Sequence, residues 1–369
     1  ATDEIFPLAR GRVLRLLPGM LADQLGPLSV RWREFPRLAP WFLRYAQACS
    51  TSRVEHSISA LSALQREAGN SWRRVVKQER LSDLVRTTGA WKLFETERAF
   101  RATSAEREEQ KRHGIDWQEI PLHELRGQIP ELGSSIKRGL FYADGMSVVS
   151  PLGVTEKLLA NFIADGGKFL NTAVNALNVS AGAVTALNTN QGLKNFAPVV
   201  VAAGHKSGRL LEPLSLNVPI VAERGYHVEM SHAEISFDEP LGLHERGFYI
   251  TPMSSGLRLA GTSEFSSATH DAPANWTRAE ILKRHSNDVL PGVAREQTSR
   301  WRGHRPTLYD FLPVLGKVPG LNNCYASFGH HHLGLTLSAV SAELTAELIA
   351  TGATKIELSP YAMSRFQQN

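Results

Sequence analysis

The stretch Asn322–Gly352 constrains the fold more than any other part of the chain. "NNCYASFG" (Asn322–Gly329) is a short apolar run closed by glycine, the pattern of a buried strand. "LGLTLSAVSAELTAELIATG" (Leu333–Gly352) reads as a helix, with Gly334 at its start and Gly352 at its end. Between them stand His330, His331 and His332. A strand that hands its chain to a helix start leaves backbone N–H groups unpaired, with positive partial charge beside them. Such a junction suits an electron-rich ligand: a phosphate, a carboxylate or an anionic ring. A metal suits it less. Adjacent histidines in an extended chain point to alternate sides, so at most His330 and His332 could share an ion. No C-x-x-C or H-E-x-x-H partner accompanies them, and no metal site is expected.

A second junction precedes this one. "APVVVAAG" (197–204) is a continuous apolar run ending in small residues, as in a buried parallel strand feeding a tight turn. "HKSGRLLEPL" reads as the helix after it. "VTEKLLANFIADGG" (Val154–Gly167) is an amphipathic helix ending in glycines, after a hinge-like "ADGMSVVSPLG". "KFLNTAVNALNVSAGAVTALNTNQG" reads as strands joined by a turn at Ser180–Gly182. "IVAERGYHVEM", "RGFYITPM" and "LRLAGTSEF" have the alternation of antiparallel sheet, and "TRAEILKRHSNDVL" that of a helix. Residues 1–133 look mainly helical. The class expected is therefore α/β (α+β). The α/β pieces would share one sheet, and the β section between them would form a second domain.

Charge and cysteine content narrow the partners. Net charge is +5, with a pI near 9.2. The excess gathers early, where "RGRVLRLLPGM" and "VRWREFPRLAPWFLRYAQA" interleave arginine with apolar residues. One reading is contact with an anionic membrane surface. The other is a solvated face on which arginine stems cover apolar neighbours. The prolines are expected to break any long amphipathic helix there. No nucleic-acid reader motif follows, so no nucleic-acid partner is expected. Two cysteines, Cys49 and Cys324, make no disulfide framework and point to a reducing compartment. No uninterrupted apolar run approaches the roughly 20 residues of a membrane span, and no signal peptide opens the sequence. The expected location is cytoplasmic, with contact at the inner face of the cell membrane as the peripheral alternative.

Five segments in order carry a family resemblance: "VVVAAGHKSGRLL", "ERGYHVEM", "GLRLAGTSEF", "GHRPTLYDFLPVLG" and "ASFGHHHLGLTLSAV". Together they resemble the FAD-dependent amino-acid oxidoreductases, the superfamily of D-amino-acid oxidase and glycine oxidase, with bacterial D-amino-acid dehydrogenase the nearest look. The resemblance implies an FAD-binding, Rossmann-like domain from residues 1–50, 144–215 and 297–369. It implies an interleaved antiparallel substrate domain from 51–143 and 216–296. Members open with a strand, a G-x-G-x-x-G turn and a helix that hold the ADP half of FAD. This sequence has no G-x-G-x-x-G. A truncated or processed chain, or a second polypeptide that supplies the unit, would account for that. A flavin-free remnant or subunit is the reading outside enzymes.

The resemblance also assigns residues. Gly329, His330, His331, His332, Leu333, Gly334, Leu335 and Thr336 resemble the loop against the isoalloxazine ring, where helix-start N–H groups favour the negative charge of reduced flavin. The alternative there is a solvated histidine run before a core helix. His332 stands where glycine oxidase has a substrate-holding arginine. Arg305 resembles the arginine that clamps the substrate carboxylate, a task its planar fork suits; the alternative is a surface arginine paired with Asp310. Tyr249 resembles a tyrosine bonded to the same carboxylate, and is otherwise a core residue. Ala202, Ala203 and Gly204 resemble the turn beside the cofactor's phosphate and ribose. Val174 resembles an adenine contact, or is an ordinary strand valine. His304 would face away from Arg305, and Arg258 would be structural. The implied reaction is hydride transfer from a small, D-type amino acid to FAD, giving a 2-oxo acid and ammonia, with a quinone or another acceptor taking the electrons. Secondary amines such as sarcosine or proline are the alternative substrates.

Overall fold

The computed structural model describes residues 4–11, 13, 19, 26–196, 198–231, 234–267, 272–293 and 296–367. In chain order the elements used below are β1 (Leu28–Val30), α1 (Phe35–Ala48), α2 (Thr51–Glu79), β2 (Ala90–Phe94), β3 (Gln118–Ile120), β4 (Arg138–Tyr142), α3 (Pro151–Ala164), β5 (Val174–Ser180), β6 (Ala183–Thr189), β7 (Gly192–Lys194), β8 (Val199–Val201), β9 (Val221–Met230), β10 (Leu241–Leu243), β11 (Phe248–Met253), β12 (Gly256–Ser266), α4 (Thr277–Val289), β13 (Gln297–Thr307), β14 (Val314–Lys317), β15 (Cys324–Phe328) and α5 (Gly334–Thr351).

Period-two alternation builds the larger sheet. Its order is β13-β9-β12-β11-β10-β2-β4-β3, with β1 alongside β12. In β9, β11 and β12 every second residue (Tyr226 and Val228, Phe248 and Ile250, Leu257 and Leu259) is buried in one core. Ala279, Leu282 and Val289 of α4 close that core. The intervening residues Glu223, His227, Tyr249, Arg258 and Arg305 therefore share the other face.

The second sheet is small, in the order β8-β15-β14. β8 and β15 run parallel and β14 antiparallel. Val201, Val314, Ala326 and Phe328 share a core with Leu177 and Val184 from the β5–β6 hairpin. The 29-residue α2 packs Leu61, Leu64 and Ala68 against Leu337, Val340 and Leu344 of α5. This sets the axis of α5 and the place where it starts.

Several expectations change. Residues 1–133 are not mainly helical throughout: β1, β2 and β3 join the large sheet, because "AWKLF" alternates half-buried and buried positions against β10. That sheet is mixed, since β1 and β12, and β2 and β10, run parallel. β13, expected within the cofactor half, bonds along its length to β9 and edges the large sheet. Pro36 sits in the first turn of α1 and Pro40 inside it, yet the helix continues for 14 residues. A first-turn proline costs nothing, because its N–H would be unpaired anyway. His331–Thr351 is long and apolar enough to cross a membrane by length and composition, but Leu337, Val340 and Leu344 on it are core residues.

Candidate functional site

The chain leaves β15 through Gly329, which has φ +80°. A Cβ there would lie 2.7 Å from Leu308 Cδ1, so only glycine meets both demands. His331 and Phe311 also hold left-handed backbones, φ +40° and +59°. They brace each other: His331 Nε2 donates to the Phe311 carbonyl at 2.5 Å, and the rings meet edge to face at 5.2 Å. With Nε2 the donor, His331 Nδ1 accepts from His332 Nδ1 at 3.1 Å. His330 Nε2 reaches Ser341 Oγ at 2.9 Å. Burial pushes His330 down to about 4 and His331 down to about 3, so both rings are neutral at neutral pH. His332 is exposed. The three rings thus have three different tasks.

α5 begins at Gly334 with no side chain capping it. The nearest atom to a Cβ built on Gly334 is His330 Cβ, at 3.9 Å. Trp72 of α2 donates from Nε1 to the Leu335 carbonyl at 3.0 Å and steadies this first turn. Beside it, Val201 pairs with Ala326, so Ala202 and Ala203 leave β8 next to the exit of β15, both exposed. Gly204 follows with φ +56° and open space at its Cβ position. Two parallel strands thus release their loops side by side, the usual place for a ligand in such a sheet. Val174 opens β5 and packs, half-buried, on the core beneath.

Arg305 lies on the open face of the large sheet. Its Nη1 donates to Glu223 Oε1 at 3.0 Å and to the Thr262 carbonyl at 3.3 Å. Glu223, only 3% exposed, also accepts from Ser263 Oγ at 2.6 Å and Thr307 Oγ1 at 2.8 Å. Burial pushes the Glu223 carboxyl up, but Arg305 and the two hydroxyls outweigh it and hold it below the usual range. The expected alternative partner, Asp310, binds Arg365 instead at 2.7 Å. His304 does turn away, meeting His205 at 4.6 Å between ring centres. Arg258 is tied to Glu229 at 2.6 Å.

Beside Arg305 the sheet is bare. Gly225 and Gly303 face each other across β9 and β13. A Cβ on Gly225 would fall 2.4 to 2.7 Å from the Arg305 guanidinium, and one on Gly303 would meet the Trp301 ring at 2.8 Å. The guanidinium and the indole therefore converge over this glycine pair. Trp301 lies flat on His227, 4.0 Å and 5° apart. Burial and then the charges of Arg305 and Arg258 push His227 down to about 3. A single row across the sheet runs Trp301, His227, Ala260, Tyr249, Gly242, Lys92. Tyr249 is thus on the Arg305 face and 40% exposed. Its ring lies over Gly242, on the far side of its strand from Arg305.

Glu223, Gly225, His227, Trp301 and Gly303 are absent from the residues singled out in the sequence. A signal was available. "ERGYHVE" and "WRGHR" place Glu, Gly and His, and Trp, Gly and Arg, at alternate positions, hence on one face each.

The family model for FAD-dependent oxidoreductases matches residues 25–348. D-amino-acid oxidase of Bradyrhizobium diazoefficiens is 29% identical over 371 residues, covering 99% of this chain and 87% of that protein. D-amino acid dehydrogenase of Paramagnetospirillum magneticum is 27% identical, covering 98% and 86%. In fold, the chain is similar to L-proline dehydrogenase of P. horikoshii (TM-score 0.74, 18% identity, 84% of each chain). It is also similar to glycine oxidase of Geobacillus kaustophilus (TM-score 0.73, 21% identity, 82% of each chain).

Proposed function

The chain belongs to the family of FAD-dependent oxidoreductases, and from that premise we propose that it oxidatively deaminates a D-amino acid. The carrying observation is Arg305. Its Nη1 is fixed by Glu223 and Thr262, while the guanidinium projects over the Gly225–Gly303 pair, with the His330–His332 loop packed against the same strand.

The residues present fit FAD at its ring end. The start of α5 is uncapped, Gly334 adds no side chain, and Ala202–Gly204 adds only small ones. FAD, when bound, supplies the acceptor for the substrate's α-hydrogen and its two electrons. Everything else falls to the chain. Arg305 holds the substrate carboxylate with the donors that Glu223 does not use, and Glu223 keeps that fork from swinging. The neutral His227–Trp301 stack walls the site beside the clamp and adds no competing charge. Tyr249 is the proposed second hydrogen bond to the carboxylate, reached by turning its ring off Gly242. The imine that remains takes up water and leaves as a 2-oxo acid and ammonia.

Three finer points are part of the same proposal. The electrons pass to a quinone, at the cytoplasmic side of a membrane that the protein touches peripherally. A Gly-rich phosphate turn comes from outside this stretch of sequence, in the same polypeptide or a second chain. The support is the edge of β8, which pairs only with β15 among the described residues and leaves Val200 40% exposed. Ring-bleaching of the flavin-loaded protein against D-amino acids, their L-forms, glycine, sarcosine and proline is the test. Bleaching by D-amino acids ahead of the rest is expected. Preference for sarcosine or proline would move the chain to secondary amines, and no bleaching by any would overturn the proposal.

A further inference from the structure

The outer face of α1 carries a surface that the reaction does not use. Trp32, Phe35 and Leu43 are 62%, 39% and 64% exposed. Trp32 and Phe35 lie 5.6 Å apart and Phe35 and Phe42 6.0 Å apart, so the rings form one stripe. Beside it run Arg33, Arg37 and Arg44, all exposed. Among the described residues none of these, nor Arg53, forms an ion pair. Some exposed arginines elsewhere do find carboxylates, as Arg74 with Glu343 at 2.6 Å, Arg86 with Asp238 at 2.8 Å and Arg138 with Glu97 at 2.7 Å. Arg98, Arg101 and Arg126 are exposed without an ion pair among the described residues, so what marks this face is its arginines lying beside an exposed ring stripe. From Arg31 to Arg53 the one acidic residue is Glu34. It is 6% exposed and turned inward to Ser266 and Ser267. The basic stripe runs into a cavity of about 300 Å³, where Arg44, Arg53 and His56 meet Arg365 and Asp310. Asp310 is already held by Arg365.

We propose that this face, Trp32 to Arg53, docks on an anionic lipid bilayer, with the ring stripe entering the headgroup layer and the arginines meeting lipid phosphates. Both parts are needed. Aromatic and leucine side chains supply apolar area at the interface, and unpaired arginines supply attraction to anionic lipid. A protein partner would be expected to offer matching acidic side chains, but the open cavity with arginines at its rim is sized for a phosphate headgroup. The inference rests on the membrane contact proposed above and gives it an address. The opposite side of α1 packs Trp41 on Phe265 and Tyr45 on Phe311, and Phe311 meets His331 of the site loop. One helix thickness, roughly 10 Å, thus separates the bilayer from the wall of the site. An electron acceptor dissolved in the membrane would be near.

Co-sedimentation of the full chain with vesicles of equimolar phosphatidylcholine and phosphatidylglycerol tests it, with neither substrate nor turnover in the readout. The parent should sediment at low salt and be released as salt rises, because screening shortens from about 10 Å at 0.1 M to about 3 Å at 1 M. Replacing Arg33, Arg37 and Arg44 by Gln should weaken binding on the order of a hundredfold, from roughly fivefold per arginine. The triple change Trp32→Ser, Phe35→Ser and Leu43→Ser should also release the protein. Both variants change exposed side chains, so their melting temperatures should match the parent's. No sedimentation of the parent at low salt would overturn the inference. So would parent-like binding by both variants, or a dimer in solution that the serine variant abolishes without any vesicle binding. A chain that binds vesicles but oxidises no amino acid would sink the proposed reaction and leave this surface standing.

Discussion

The open face of the large sheet and the loop junction of the small sheet form the two sides of the candidate site, and they solve opposite problems. On the sheet face, charge is abundant and fully answered: Arg305 meets Glu223, and Arg258 meets Glu229. At the junction, charge is withheld. His330 and His331 are kept neutral by burial, the start of α5 is uncapped, and the lining residues are glycine and alanine. The contrast shows a division of labour. On the proposed function, the sheet would bring a strong, directional cation to a small anion, and the junction would offer weak, diffuse donors to a large ring whose charge changes during reaction.

The largest expected effect is on the sheet side. Removing Arg305 leaves the Glu223 carboxylate buried without its cation, a loss of about 3–5 kcal/mol in stability. On the proposed function, the same change would strip the substrate carboxylate of its partner. Arg305→Ala should therefore lower both melting temperature and turnover of amino acids, the latter several hundredfold or more. Arg305→Lys keeps a cation for Glu223 but loses the fork, so stability should recover more than activity. Flavin content should remain normal in both. Were Arg305→Ala to turn over amino acids within about threefold of the parent, the clamp would have to lie elsewhere.

How far the sequence showed this division depends on how local each part is. The junction is local. Strand, glycine, histidines and helix follow one another within Asn322–Gly352, and their order alone implies a helix start aimed at a ligand. Arg305 was visible as a residue, but its partner Glu223 is 82 positions away. Only the β9–β13 register joins the two, and register is not written in either strand alone. The first third of the chain misled for a related reason. "AWKLF" is too short to announce a strand against the helical run before it, and acquires that role only from β10 and β4.

The middle-sized effect tests the junction. A Cβ on Gly334 has room within the protein itself, since its nearest neighbour is 3.9 Å away. Gly334→Val should therefore cost the fold little, as valine is no worse a helix former than the glycine it replaces. If the ring of FAD approaches this turn, the same branched side chain should displace it, so the absorbance near 450 nm (about the value typical of flavins) should fall per mole of folded protein. A variant that melts like the parent and carries as much flavin would remove Gly334 from the contact.

The smallest effect separates the two sides by pH. A buried histidine with a depressed pKa stabilises the fold above its unfolded value, about 6.5. As pH falls below that, the unfolded chain gains protons that the folded one refuses, and stability drops. His331 and His330 make this loss run from about 6.5 down to about 3 and 4. Glu223 has the same sign but a lower window: its contribution is whole above the ordinary carboxylate value, about 4.3, and is lost only as pH falls through its depressed folded value. His227 on the sheet face, pushed down to about 3, adds a loss of the same sign over the same interval, so between about pH 6.5 and 4.5 both sides lose stability while Glu223 still contributes in full. In a His227→Gln variant, whose sheet face lacks that group, hydrogen-exchange protection should fall in that interval for the amides from Gly329 through the first turns of α5, while β9 and β13 keep theirs. Equal loss on both sides would show that they unfold as one unit, and that the neutral junction is no weaker than the charged face it opposes.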